Sequence, residues 1–173
     1  IVVPADSPFK NLGDLAKALK ADPGKVAFAG GSAGGTDHIV VGLTAKAAGA
    51  AATKINYVPF SGGGGALAAL LRKQLAAGVS GWGEFEGQVK AGKLRALAIT
   101  APKRVAAIDV PTAKEQGIDL ELANWRAVFG PPGLSDAAKA DQLKAIDAAV
   151  KSSSWQDTLK QKGWDDQYLA GDK

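Results

Sequence analysis

Three stretches carry the residues that could do chemistry. They read Gly30-Gly31-Ser32-Ala33-Gly34-Gly35-Thr36, Ser61-Gly62-Gly63-Gly64-Gly65 and Ser80-Gly81-Trp82-Gly83. Each follows a short apolar run and precedes a helical pattern, so each sets bare amides and small hydroxyls at a helix start. Four N–H groups lack intrahelical partners there and the macrodipole is positive. That is anion-binding chemistry and needs no catalytic residue. Residues 39–83 contain no Asp or Glu, while Lys46, Lys54, Arg72 and Lys73 are cationic, which suits a small carboxylate-bearing solute. The candidate ligand-binding residues are Gly31, Ser32, Gly34, Gly35, Thr36, Ser61, Gly62, Gly63, Ser80, Gly81 and Trp82. Trp82 suits a pocket wall and a core position equally.

Other chemistries fit less well. A phosphate-binding P-loop needs Lys after its last Gly, but Gly35 is followed by Thr36 and Asp37. A dinucleotide fingerprint needs Gly where Ala29 stands and an acid about 20 positions on, where Thr53-Lys54-Ile55 stands. His38 is the sole histidine, with no nucleophile at a recognisable spacing, and reads as a packing or capping residue. One His and no Cys argue against a metal centre. Glu84 and Glu86 read as first-turn helix acids and not as general acid/base groups. An enzyme acting on a phosphorylated or acyl substrate, through Ser32, Ser61 and Glu84, is the alternative. Arg126 is a candidate partner for a carboxylate, set against an ordinary solvated arginine.

The elements that hold these loops in place are read from periodicity. A strand is expected at 1–3. Asn11 caps a helix over 12–21 with Leu12, Leu15 and Leu19 on one stripe, stopped by Asp22-Pro23-Gly24. Strands at 25–29, 55–58, 75–79 and 94–99 alternate with helices at 38–48, 66–73 and 85–91, the first of these facing inward through Ile39, Leu43 and Ala47. Such alternation predicts a parallel, layered α/β sheet with ligands bound beyond the strand carboxyl ends, where all three glycine loops fall. Val110-Pro111-Thr112 begins a short helix that runs through Gln116 and ends at Gly117. Residues 120–129 read as extended, with Trp125 buried. Ser135 caps an amphipathic helix to about 150, with Ala138, Leu143, Ile146 and Val150 on its stripe. A last helix covers 154–162, where Trp155 and Trp164 read as packing residues.

The 173 residues are 46% hydrophobic, enough for one good core. The 22 glycines exceed the usual share of about 7%, and the excess lies in the loops. The +4 charge comes from scattered Lys and Arg, so nucleic acid is a poor partner. No run approaches the roughly 18 apolar residues of a membrane span. The opening Ile1-Val2-Val3-Pro4 looks like a strand cut from something longer, so the lack of a leader tells nothing.

Five ordered motifs then carry a family likeness. They are residues 29–38; Asn56-Tyr57-Val58-Pro59-Phe60-Ser61-Gly62-Gly63-Gly64; residues 90–100; Asp109-Val110-Pro111-Thr112 through Gly117; and Asn124-Trp125-Arg126 leading to Pro131-Pro132-Gly133. Together the chain resembles the extracytoplasmic substrate-binding proteins of tripartite tricarboxylate transporters, the Bug-type receptors. The resemblance implies a periplasmic-binding-protein type II-like lobe, a parallel or mixed sheet flanked by helices, with a hinge segment and C-terminal helices. It implies residues 1–120 as a ligand-binding second lobe, and 121–173 as a hinge strand and helices packing toward a first lobe. It also implies a periplasmic or extracytoplasmic location, a di- or tricarboxylate ligand such as citrate, membrane permease partners, no cofactor and no turnover. In that family, loops like 31–36 and 61–63 grip a carboxylate. The first lobe's own opening strand has no counterpart before Ile1, and the usual elements after Asp172 are short or absent.

Overall fold

The computed structural model describes residues 1–171, so the expectation for elements after Asp172 lies outside the described residues. The chain forms two compact units, residues 1–124 and 125–173.

The first unit is built on a five-stranded mixed sheet of spatial order β3-β2-β4-β1-β5. Its strands are β1 (Val2–Pro4), β2 (Ala27–Gly30), β3 (Asn56–Pro59), β4 (Ala77–Gly78) and β5 (Leu94–Ala96). β2 pairs in parallel with β3 and β4, whereas β1 runs antiparallel to both β4 and β5. The helices are α1 (Leu12–Ala21), α2 (Thr36–Ala47), α3 (Gly63–Leu71) and α4 (Trp82–Lys90).

Side-chain alternation along the strands divides the core into two layers. Val3 and Phe28 face one way and pack with Leu12, Leu15 and Leu19 of α1 and Val40 and Val41 of α2. Val2 and Ala29 face the other way and pack with Ala66 and Leu70 of α3 and Phe85 of α4. Helices therefore cover both faces, which lets parallel strands be apolar throughout. A Cβ on Gly78 would collide with Leu70 Cδ1, so this glycine lets α3 lie directly on β4. Arg95 donates to the carbonyls of Ala5, Ser7 and Phe9 and pins the loop after β1.

Asn11 caps α1 as expected, its side chain accepting from the Asp14 amide at 2.9 Å. Four expectations need correction. The inward stripe of α2 is Val40, Val41, Thr44 and Ala45, while Ile39 is 48% exposed and Ala47 faces solvent. Thr44 is tolerated inside because its hydroxyl donates to the Val40 carbonyl at 2.7 Å. α3 and α4 begin three residues earlier than periodicity indicated, within the glycine loops themselves. The strands expected at 75–79 and 94–99 shrink to β4 and β5. Finally, Trp125 is not buried: it is 70% exposed, and Val128 and Phe129 after it are exposed too, while Leu122 earlier in the stretch bonds Thr100 through its amide and carbonyl.

The second unit holds α5 (Asp136–Val150) and α6 (Ser153–Lys162), capped by the hydroxyls of Ser135 and Ser152. Ala138, Leu143, Ile146 and Val150 are half-buried along α5, and Leu159 of α6 is buried. Arg126 lies over the Trp164 ring at 4.0 Å, a cation–π contact.

Candidate functional site

The parallel ladder β3-β2-β4 sends three strands out at one sheet edge, and the glycine loops leave from those ends. The Phe60 amide bonds the Gly30 carbonyl at 2.9 Å, and the Val79 amide bonds the Ala29 carbonyl at 2.8 Å. These bonds carry the ladders to the loop bases and hold the second and third loops on either side of the first. Each loop turns into a helix start: α2, α3 and α4 begin behind Gly35, Gly62 and Gly81, and none of the three has a side-chain cap. The other three helices, α1 of this unit and α5 and α6 of the second, are capped by Asn11, Ser135 and Ser152. The glycine caps leave first-turn donors open, although at α4 the Glu84 amide bonds the Gly81 carbonyl at 3.0 Å.

The first loop is the most structured. The Gly31 amide donates to Asp37 Oδ2 at 2.8 Å, the Gly34 amide to His38 Nδ1 at 3.0 Å, and the Gly35 amide to the Ser32 carbonyl at 3.0 Å. Tyr57 Oη donates to the Gly31 carbonyl at 2.8 Å, and its ring stacks on His38 with centroids 4.3 Å apart and 14° between planes. A Cβ on Gly30 would collide with Tyr57 Oη, so glycine is required for this close approach. Gly34 has φ +79°, the left-handed region. Gly31, Gly34 and Gly35 thus spend their amides inside the loop. The open donors at α2 are the amides of Thr36, Asp37 and His38, which have no internal partner among the described residues. Those at α3 are Gly63, Gly64 and Gly65, with Ser61 exposed beside them. In the third loop Ser80 and Trp82 are half-buried and Gly81 is exposed.

The charge arrangement reverses what the sequence suggested. Lys46 lies in the last turn of α2, Lys54 in the turn before β3, and Arg72 at the end of α3. Lys73 pairs with Asp6 near the end of β1, beside an open groove of about 390 Å³. All four cations are therefore at the edge opposite the glycine loops. Helices run back across the sheet, so helix C-termini gather the cations and N-termini the acids. The two acids that bracket the acid-free stretch come to the loops instead. Asp37 holds Gly31, and Glu84 reaches α3, its Oε2 only 2.6 Å from where a Cβ on Gly63 would stand. Burial raises the Asp37 carboxyl above its ordinary value of 3.8, against the Gly31 hydrogen bond, and Glu84 pushes the same way. Burial, then the Asp37 charge, pushes the Tyr57 phenol up to about 12. Any attraction for an anion at this edge comes from amides and hydroxyls. Glu86 pairs with Lys90 at 2.7 Å.

His38 caps and packs, as its sequence context indicated. Among the described residues, the hydroxyls of Ser32 and Ser61 make no hydrogen bond to a side-chain base. Tyr57 and the Asp37–Gly31 bond were not singled out in the sequence. Their signal was the aromatic in β3 set opposite Phe28 of β2, close before the loop.

The same architecture occurs in other solved structures. The structure of the periplasmic binding protein BugD superposes with TM-score 0.73 at 25% identity over 94% of this chain and 54% of its own. An R. palustris protein solved with adipate gives TM-score 0.76 at 26% identity, over 94% of this chain and 54% of its own. In sequence, protein BugT of Bordetella pertussis is 33% identical over 146 residues, which is 83% of this chain and 44% of BugT. The chain spans about half the length of the curated relatives it matches. The family model of the tripartite tricarboxylate transporter family receptor matches residues 1–172. With the periplasmic-binding-protein architecture and the uncapped glycine loops, that match settles the family: the chain belongs to the tripartite tricarboxylate transporter receptors.

Proposed function

We propose that the chain forms the carboxylate-gripping part of a periplasmic solute receptor, which captures a small di- or tricarboxylate and delivers it to the membrane permease of a secondary tripartite transporter. Residues 1–120 serve as the ligand-binding lobe and 121–173 as hinge and return helices. The observation that supports this reading is the row of three neighbouring helix starts capped by Gly35, Gly62 and Gly81 without a side-chain cap, where the other three helices have one. Thr36, Gly63 and their neighbours supply amides, and Ser32, Thr36, Ser61 and Ser80 supply hydroxyls. Gly31, Gly34 and Gly35 shape the loop, Gly62 and Gly81 leave the helix starts open, and Trp82 walls the pocket. The ligand leaves unchanged.

Charge-assisted hydrogen bonds contribute roughly 1.5–3 kcal/mol each. Three to five of them reach the roughly 8 kcal/mol of micromolar affinity before ordering costs. A thermal-shift screen of adipate, succinate and citrate tests the reading, run on this chain and on the chain joined to the first lobe of BugT. A ligand-dependent rise in Tm without turnover is expected. Silence from both, each well folded, or turnover that Ser32→Ala abolishes, contradicts it.

A further inference from the structure

Besides its own Gly35–Ser32 bond, the first glycine loop is held by the side chains of Asp37, His38 and Tyr57, and one of these acceptors can be switched by a proton. The Gly34 amide bonds His38 Nδ1 at 3.0 Å. An imidazole nitrogen accepts only when it carries no proton, so this contact needs the neutral ring with its hydrogen on Nε2. The ring is fixed in plane by Tyr57, whose own hydroxyl holds the Gly31 carbonyl at 2.8 Å. Gly34 sits at φ +79° and makes no other hydrogen bond through its amide among the described residues, so that acceptor is what holds the loop at this residue.

We propose that His38 and Tyr57 are positioning residues of the ligand loop, and that His38 acts only in its neutral Nε2–H form, so that protonating this one ring releases the loop at Gly34. The groups that bear on the ring are the Tyr57 phenol from β3, the Asp37 carboxyl beside it on α2, and Glu84 of α4, which acts on Asp37. Tyr57 stays protonated throughout the pH range in which imidazoles titrate. The consequence for affinity rests on the function proposed above, whereas the state of the loop is read without ligand.

The test is NMR on the full chain between pH 8 and 5. Neutral His38 is expected as the Nε2–H tautomer. The Gly34 amide signals should move with the ring's own titration, and their protection from exchange should fall about tenfold, the worth of one hydrogen bond. His38→Asn, whose Oδ1 can take the place of Nδ1 without titrating, should flatten the Gly34 response. An Nδ1–H tautomer, Gly34 signals that stay flat while His38 titrates, or an unchanged Gly34 titration in His38→Asn overturns the proposal. The tautomer decides even if the variant fails to fold. For adipate at pH 7.5, His38→Ala and Tyr57→Phe should each weaken binding about tenfold, and His38→Asn should restore it. Adipate that binds all variants equally overturns the positioning role. Adipate that binds nothing, wild type included, counts against the function proposed above and leaves His38 to be decided by its ring signals.

Discussion

Asp37 holds the first loop at a cost to itself. Its carboxylate takes the Gly31 amide, yet burial and Glu84 raise its pKa. A carboxyl whose folded pKa lies above its unfolded value lets the native state bind more protons, so stability falls as pH rises through the window from 3.8 to the raised value. Asp37→Asn keeps an acceptor for Gly31 without the charge. It should match or exceed wild-type stability at pH 7 and lose that advantage as pH falls through the same window, measured by urea unfolding at a series of pH values. Gly30 gives the opposite kind of evidence. Gly30→Ala forces a methyl onto Tyr57 Oη and toward Asp37 Cβ, and should lower unfolding free energy by about 1–3 kcal/mol. A denaturation midpoint unchanged from wild type would mean that Tyr57 is not seated against the loop.

At the scale of elements, the relation between cap and ligand can be set against stability. Gly62 stands at the cap of α3 with extended backbone and open space where a Cβ would go. Gly62→Asp should therefore stabilise the fold, by a few tenths to about 1 kcal/mol through capping and the helix dipole. It should at the same time weaken carboxylate binding at least tenfold, because its own carboxylate takes the donors. Rising Tm with falling affinity is the signature; unchanged affinity would remove α3 from the site. The same elements explain what could be read in advance. α1 was legible because Asn11, Leu12, Leu15 and Leu19 form a cap and one stripe, with Pro23 closing the end. α2 was legible as a helix but not in its inward face, because Ile39, Val40, Val41 and Leu43 are all apolar and leave that face to tertiary packing. Gly63, Gly64 and Gly65 were read as loop because glycine disfavours helix by about 1 kcal/mol each, a cost the tertiary fold overrides in α3.

For the whole molecule, the sheet decides what the loops can be. Parallel β3-β2-β4 gathers the glycine loops at one edge, as strand–helix alternation indicated, while the antiparallel insertion of β1 between β4 and β5 was invisible to it. Charge misled for a geometric reason: an acid-free stretch in sequence became an edge holding Asp37 and Glu84, since helices carry their middle and end residues to the other side. Ligand capture thus rests on amides at uncapped helix starts. Titrating adipate into the isotope-labelled chain and mapping amide shifts tests this most directly. Perturbations confined to residues 31–38, 61–66 and 80–84 are predicted. Shifts centred on the opposite edge around Lys73 and Asp6, with these loops silent, would contradict it.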